Sequence, residues 1–439
     1  MAWTIAIRTT GFWRSSCSLS RDRAMVYSSQ AFTGLSTADE APFAPSSPTH
    51  ETAHDSIELT VVMPCLNEAD TVATCIHRAQ AAMTNAGIVG EVVIADNGSS
   101  DDSVAIARSA GARVVLVADR GYGAALMGGI AAARGQFVIM GDADDSYDFG
   151  ELPKFVQRLR AGDELVQGCR LASGGGRVLP GAMPRLHRWL GNPLFSRVAR
   201  RWFRAPVHDV YCGLRGFTKA LYHRLDQRCT GMEFATEMII KASLAGAKIG
   251  EVPITLHPDG RKSHPPHLKT FRDGWRTLRF FLMCSPRRLF LLPGLVLILF
   301  GLGGYTVAMP GMTIGGITFD AHTLLFASLA VICGSQSLFF AAIAKTFAMT
   351  EGILPHDPRV QRFSRLVTLE RGLCLGIASG LLGGLMLLAA LNVWRIHNFG
   401  RLNYAETMRV VVPGVTLVVL GYQVILGCFF MSLLTMRRR

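Results

Sequence analysis

Asp142 and Asp144 stand one residue apart in Asp142-Ala-Asp-Asp-Ser146, just after the apolar run Gln136-Phe-Val-Ile-Met140. Two carboxylates that close repel each other unless a cation lies between them. An oxygen-only pair suits Mg2+ or Mn2+, which also bind phosphate oxygens. Such an ion would act as a Lewis acid toward a departing phosphate. Two further polar clusters follow apolar runs in the same way. Pro64-Cys-Leu-Asn-Glu68 comes after Glu58-Leu-Thr-Val-Val-Met63, and Asp96-Asn-Gly-Ser-Ser-Asp101 comes after Glu91-Val-Val-Ile-Ala95. Taken singly these are turn and cap sequences: Asn-Gly favours a turn, and Ser100 or Asp101 would N-cap a following helix. Three at equivalent positions point instead to a ligand site, because open α/β sheets bind ligands at the carboxyl ends of their strands.

The elements that must position these clusters follow from the pattern between Glu58 and about Leu256. Strands are expected at 58–63, 91–95, 113–117 and 136–140, with helices at 69–83, 101–110 and 122–134 between them. Apolar strands alternating with helices indicate a parallel sheet covered on both faces. Gly174-Gly-Gly176 follows no strand-to-helix turn of a phosphate loop and is expected to be a hinge. His208, His257, His264 and His267 lack zinc-ligand spacing with Cys.

These blocks resemble the signature segments of family 2 glycosyltransferases of the GT-A fold, nearest in type to the polyprenyl-phosphate (dolichol-phosphate) mannosyl- and glucosyltransferases. Gln167-Gly-Cys-Arg170, Asp209-Val-Tyr-Cys-Gly-Leu-Arg-Gly216, Met232-Glu-Phe-Ala-Thr-Glu-Met238 and Glu251-Val-Pro-Ile254 extend the likeness over roughly residues 58–285. The resemblance implies that Pro64, Leu66, Glu68, Ala95 and Asn97 line the donor's base and ribose. It implies that Asp142, Ala143 and Asp144 meet the diphosphate and a Mg2+ or Mn2+ ion held by Asp142 and Asp144. Asp144, Arg170, Asp209 and Arg215 would be the catalytic set, with Arg170 on a phosphate and Asp209 ordering the acceptor arginines. The implied reaction moves a hexose from a nucleotide sugar donor, UDP-glucose or GDP-mannose in type, to a polyprenyl phosphate. That acceptor is already anionic at neutral pH, so it needs no strong general base. A growing glycan or glycolipid acceptor, or a non-catalytic translocation or assembly subunit, remains an alternative. The chain departs from the family at Asp96-Asn97, where two aspartates are frequent, at Ser146, where some relatives have Gln, and at Arg261-Lys-Ser263, where Gly-Lys-Ser is usual.

The rest of the chain is a membrane sequence. Charged residues make up only 18%, yet the net charge is +13, where soluble domains run near 25% charged. Spans are expected at about 289–310, 321–344, 372–394 and 410–436, each long enough to cross hydrocarbon. Pro293 and Pro413 would sit near helix starts, where a missing N–H is tolerated. Five cations in Lys345–Arg371 and the Arg437-Arg438-Arg439 end place those segments, and so the region before Leu289, in the cytoplasm; a bacterial plasma membrane is the expected location. Arg170–Arg204 holds eight Arg and no acid, interleaved with Trp189, Leu190, Leu194 and Trp202; Arg261–Arg288 holds eight cations against Asp273. Together they exceed the net charge of the whole chain. Basic residues mixed with Trp and Leu fit a membrane interface and anionic lipid heads, so Arg185, Arg188, Arg200, Arg201, Arg261 and Lys262 are the expected acceptor cations. Cations gathered beside spans do not indicate nucleic acid. The domain organisation expected is a disordered or misassigned tail at 1–56, a GT-A domain at 57–260, a basic juxtamembrane segment at 261–288 and four spans in 289–436. A homo-oligomer is compatible with all of this.

Overall fold

The computed structural model of the chain describes residues 57–261, 270–350, 352, 354, 357–358 and 368–435. The tail at 1–56 lies outside them, as do Lys262 and Arg359, Arg362, Arg365 and Arg437–Arg439, on which much of the loop-charge argument rests. The chain folds into two compact units. The first takes the described parts of Met1–Arg188, Val207–Met238 and Lys248–Pro266; the second takes Trp189–Pro206, Ile239–Ala247 and the described parts of His267–Arg439.

The first unit is built on the expected alternation: β1 (Leu59–Cys65), α1 (Val72–Asn85), β2 (Gly90–Asp96), α2 (Ser103–Ser109), β3 (Arg113–Leu116), α3 (Tyr122–Ala132) and β4 (Phe137–Met140). It continues through α4 (Leu152–Arg160), β5 (Leu165–Cys169) and β6 (Arg177–Val178). The chain then passes through α5 (Asn192–Phe203), which belongs to the second unit, and returns as β7 (Arg215–Thr218), α6 (Lys219–Leu225), α7 (Glu233–Leu244, of the second unit from Ile239 on), β8 (Ile249–Pro253) and β9 (Thr255–Leu256). Seven strands pair in the order β3-β2-β1-β4-β7-β5-β8. β1 and β4 are buried throughout but for Pro64, as strands covered on both faces must be. In α1, Cys75, Ile76, Ala79, Ala82 and Met83 recur at three- and four-residue intervals and are all buried, which fixes its face toward the sheet. The sheet is mixed rather than wholly parallel. β7 runs antiparallel to both β4 and β5, pairing Met140 with Arg215 and Leu165 with Phe217. A four-residue strand reached after a long excursion has no periodicity of its own to reveal its direction.

Register levels the clusters. Pro64 pairs with Ala95 and Cys65 with Asp96, and Val62 pairs with Met140, so the segments after β1, β2 and β4 leave the sheet at one edge. Gly174–Gly176, the expected hinge, form a hydrogen-bonded turn. Their N–H groups bond back to Leu171 and Ala172 carbonyls at 3.0–3.1 Å, and Gly175 takes a left-handed φ of 83° that closes the turn.

The second unit contains α5, α8 (Thr270–Met283), α9 (Leu292–Ala308), β10 (Thr313–Ile314), β11 (Ile317–Thr318), α10 (Ala321–Thr350), α11 (Leu369–Ile396) and α12 (Tyr404–Thr435). Phe281 of α8 is fully buried, with its ring edge-on to Phe195 and Phe203 of α5 at 6.0 and 5.5 Å. Arg288 lies over the Trp202 ring at 5.0 Å and donates to the Arg201 carbonyl. Among the described residues, four helical segments are long and apolar enough to cross a membrane: Arg287–Ala308, Ala321–Thr350, Leu369–Ile396 and Tyr404–Leu434. The last begins earlier than the sequence suggests and takes in Glu406 and Arg409, which places Pro413 inside the helix and not near its start. Thirty helical residues extend about 45 Å against ~30 Å of hydrocarbon, so such helices tilt or project. Gly383 of α11 lies so close to α12 that a Cβ would stand 2.5 Å from the Gly414 carbonyl oxygen, the small-residue contact by which membrane helices associate.

Candidate active site

The loops after β1 and β2 are stitched to each other. Asn67, at a left-handed φ of 60°, donates its N–H to the Ser99 hydroxyl at 2.9 Å, and its side-chain oxygen accepts from Ser100 N–H at 2.8 Å. Glu68 N–H donates to Ser103 Oγ at 2.8 Å and Ala69 N–H to Asp101 at 3.2 Å. Asp101 also accepts from the Ser103 N–H at 3.1 Å, but the N-cap position of α2 is Asp102 and not the expected Ser100 or Asp101, and it makes no side-chain cap bond. Asp96 accepts from Gly98 and Ser99 N–H groups. Asn97 reaches across to the β3–α3 loop: its amide donates to the Val117 and Asp119 carbonyls at 3.2 and 2.7 Å, and its oxygen accepts from Gly121 N–H at 2.7 Å. A carboxylate could not make the first two bonds, since it has no donor.

The loop after β4 is organised differently. Asp142 Oδ1 accepts from the Tyr122 hydroxyl at 2.9 Å. An added Cβ on Gly213 would stand 2.8 Å from Asp142 Oδ2 and 3.0 Å from the Tyr147 hydroxyl, so a side chain there would push on both. Asp144 Oδ1 accepts from Ser146 N–H and Oγ–H at 3.0 and 2.6 Å, and Oδ2 accepts from Arg261 at 2.5 Å. Thr71, at the start of α1, donates to the Ala143 carbonyl at 2.7 Å and ties this loop to the first. Burial and the neighbouring Asp144 carboxylate push Asp142 up to about 6, against the pull of Arg261 and Arg170. Burial works against the charge of Arg261, yet Asp144, Glu68 and Asp259 hold it above the usual guanidinium range.

Beyond β5, Arg170 and Asp209 form a buried two-pronged pair, Nε to Oδ2 at 2.7 Å and NH2 to Oδ1 at 3.0 Å. Asp209 lets Arg170 outweigh its own burial, raising it well above the ordinary range. Glu251 accepts from the His208 N–H at 2.6 Å and the Asp209 N–H at 3.3 Å and meets the His208 ring at 2.7 Å, so it fixes the loop that carries Asp209. Gln167 donates to the Asp209 and Cys212 carbonyls. Arg215 is fully buried, with its NH groups on the Ala235 and Cys212 carbonyls at 2.5 and 2.7 Å, and burial lowers it.

Residues 60–226 match the sequence family described as Glycosyl transferase family 2, and residues 342–435 match its C-terminal transmembrane region. The low-salt glycan biosynthesis hexosyltransferase Agl6 of Haloferax volcanii is 37% identical over 379 residues, covering 85% of this chain and 88% of that protein. This chain belongs to glycosyltransferase family 2. The protein described as dolichyl-phosphate hexose transferase, from the same organism, is 34% identical over 198 residues, 45% of this chain and 82% of its own. A solved structure of Mycobacterium tuberculosis glucosyl-3-phosphoglycerate synthase with Mn2+, UDP and glucosyl-3-phosphoglycerate aligns over 52% of this chain and 77% of that one, at 21% identity and a TM-score of 0.40. The chain is therefore a glycosyltransferase with the mixed α/β sheet of the GT-A fold, and, with its family-type C-terminal region and four apolar helices, a membrane protein.

Within this family 2 glycosyltransferase, the predicted residues fall into three groups. Pro64, Leu66, Glu68, Ala95, Asn97, Asp142, Ala143 and Asp144 share the strand-end edge, with Arg261 on Asp144. Arg170 and Asp209 are joined to each other, whereas Arg215 is enclosed on backbone carbonyls and forms no ion pair among the described residues. Arg185 is exposed and Arg188 half-buried; Arg200 and Arg201 lie on the last turn of α5. Sequence reasoning missed Tyr122. Its only signal is the flanking Gly121 and Gly123, whose added Cβ atoms would stand 2.3 Å from the Thr230 oxygen and 2.4 Å from the Cys229 oxygen. The segment they pack on is held by Glu237, which accepts from Arg228 and Cys229 N–H groups.

Proposed function

We propose that this glycosyltransferase moves a hexose from a nucleoside diphosphate sugar, UDP-glucose or GDP-mannose in type, to a polyprenyl phosphate at the cytoplasmic membrane face. Two relatives are named for hexosyl transfer, one of them on dolichyl phosphate. The observation that carries the reading is the convergence of two carboxylates, Asp142 and Asp144, with two guanidiniums, Arg170 and Arg261, around the end of β4.

The residues present fit a hard divalent ion. Asp142, Asp144 and the Ser146 hydroxyl offer oxygen alone, and burial first, then the neighbouring Asp144 carboxylate, raises Asp142, a penalty on its charged form that a bound cation would offset. Mg2+ or Mn2+ bound there would supply Lewis-acid stabilisation of the leaving diphosphate. Tyr122 orients Asp142, and Ser146 orients Asp144. Pro64, Leu66, Glu68, Ala95 and Asn97 line the nucleotide, with Asn97 acting through the β3–α3 loop it holds. Asp209 keeps the Arg170 fork aimed and charged so that it can meet a phosphate. Positioning and charge neutralisation then suffice, because a phosphomonoester oxygen is an anionic nucleophile at neutral pH. Direct in-line attack inverts the sugar carbon. Arg215 supports this site by bracing the start of β7. Arg185 and Arg188 of the first unit, and Arg200 and Arg201 of the second, are each cations that would attract an anionic lipid head, interleaved in sequence with the exposed Trp189, Leu190 and Leu194.

Membranes containing the full chain, given labelled sugar nucleotides with Mg2+ or Mn2+, should yield organic-extractable label that rises when polyprenyl phosphate is added and not when the free polyprenol is added. Equal stimulation by both would remove the phosphate from the mechanism.

A further inference from the structure

We propose that Arg261 is a resident counter-cation of Asp144 that a divalent ion must displace, so that donor loading releases a guanidinium for the acceptor phosphate. The proposal rests on the reading of Asp142 and Asp144 as the metal–diphosphate site.

Asp144 has both oxygens engaged. Oδ1 takes Ser146 N–H and Oγ–H, and Oδ2 takes Arg261 NH2 at 2.5 Å. Two cations on one carboxylate oxygen repel each other, so a guanidinium and a divalent ion alternate there. The way Arg261 is held suits exchange. Its Nε lies 3.3 Å from Glu68 Oε2 and 3.2 Å from Asp259 Oδ1, yet makes no hydrogen bond to either. One directional bond and a surrounding of negative charge keep it in place. Arg170, by contrast, is locked to Asp209 through two parallel bonds. The two arginines of the site thus differ in kind: Arg170 is fixed, and Arg261 is exchangeable.

The backbone permits the exchange without reorganisation. His257 N–H bonds to the Ser146 carbonyl at 2.9 Å and Gly260 N–H to the Asp144 carbonyl at 3.0 Å, so the chain up to Gly260 is strapped beside the β4 loop. Rotation of the Arg261 side chain alone moves the charge off Asp144. The family's usual Gly-Lys-Ser reads Arg261-Lys-Ser263 here, so the glycine position carries the guanidinium itself. Donor with metal would then bind before acceptor, because Arg261 is committed to Asp144 until the ion arrives.

The test titrates Mn2+ into purified full-length protein in detergent, without donor or acceptor, and reads free Mn2+ by electron paramagnetic resonance. Arg261→Gln should bind Mn2+ about tenfold more tightly than the wild type, because the competing charge is gone. Arg261→Lys should stay nearer the wild type. A merely structural role for Arg261 predicts the opposite, a loss of affinity. Should the Gln variant not fold, Asp259→Asn, which removes one of the carboxylates around Arg261, should tighten Mn2+ in the same direction. Unchanged or weaker Mn2+ binding in a folded Arg261→Gln protein overturns the displacement while leaving the metal site standing. Mn2+ binding that is equal in wild type and Asp144→Asn instead overturns the metal reading on which it rests.

Discussion

The loops after β1 and β2 and the loop after β4 leave the same edge of one sheet and are built on opposite plans. In the first pair, Asn67, Asp96, Asn97, Ser99 and Asp101 satisfy one another and the neighbouring backbone, so their polarity holds a shape. After β4, Asp142 and Asp144 stand together with their charge only partly matched, by Tyr122, Ser146 and Arg261. The difference teaches that polar density alone does not mark reactive groups. Satisfied polar groups hold a shape, whereas the under-compensated ones are where the proposed cation and diphosphate would sit.

Substitutions should separate the two plans. Asp144→Asn, isosteric but uncharged, should cut hexosyl transfer by about 10³-fold with thermal unfolding close to the wild type; a variant within tenfold of the wild type would remove Asp144 from the reacting charge. Asp209→Asn strands a buried guanidinium, and breaking such a pair costs about 3–5 kcal/mol, to be read as a lowered unfolding midpoint together with lost transfer. Asn97→Asp belongs to the scaffold. It forfeits two donors to the Val117 and Asp119 carbonyls and should destabilise by about 1–3 kcal/mol in denaturant titration. No loss of stability there would mean that the β3–α3 loop is not held by Asn97. Arg78→Ala removes a solvent-exposed pair with Asp145 and should change stability by less than about 1 kcal/mol and transfer by less than about twofold.

The same contrast explains what could be read from the amino-acid order. β1 to β4 were legible because each is a contiguous apolar run, and the polar clusters because each follows such a run directly. The four spans were legible from length and lack of charge, though the helix ends were not: Glu406 and Arg409 continue α12 beyond the apolar stretch. β7 was hidden because its direction is set by pairing with β4 and β5 and not by local pattern. The partners within the site were hidden for the same reason. Arg261 meets Asp144 across 117 residues and Arg170 meets Asp209 across 39, separations at which residue type and local spacing carry no signal. Arg215 shows the converse case. A motif arginine beside chemically active neighbours reads as catalytic, and the fold places it fully buried, with NH1 and NH2 on two backbone carbonyls and Nε without a hydrogen bond.

The central claim, hexosyl transfer to a lipid phosphate, is tested most directly with the purified full-length protein in lipid nanodiscs. It would be given polyprenyl phosphate, UDP-glucose or GDP-mannose and Mg2+, and the extracted lipid analysed by mass spectrometry and NMR. The account predicts a hexosyl phosphate lipid, one hexose heavier than the acceptor, with the anomeric configuration inverted relative to the donor. Transfer only to a glycan or to a lipid without phosphate, or a product with retained configuration, would contradict it.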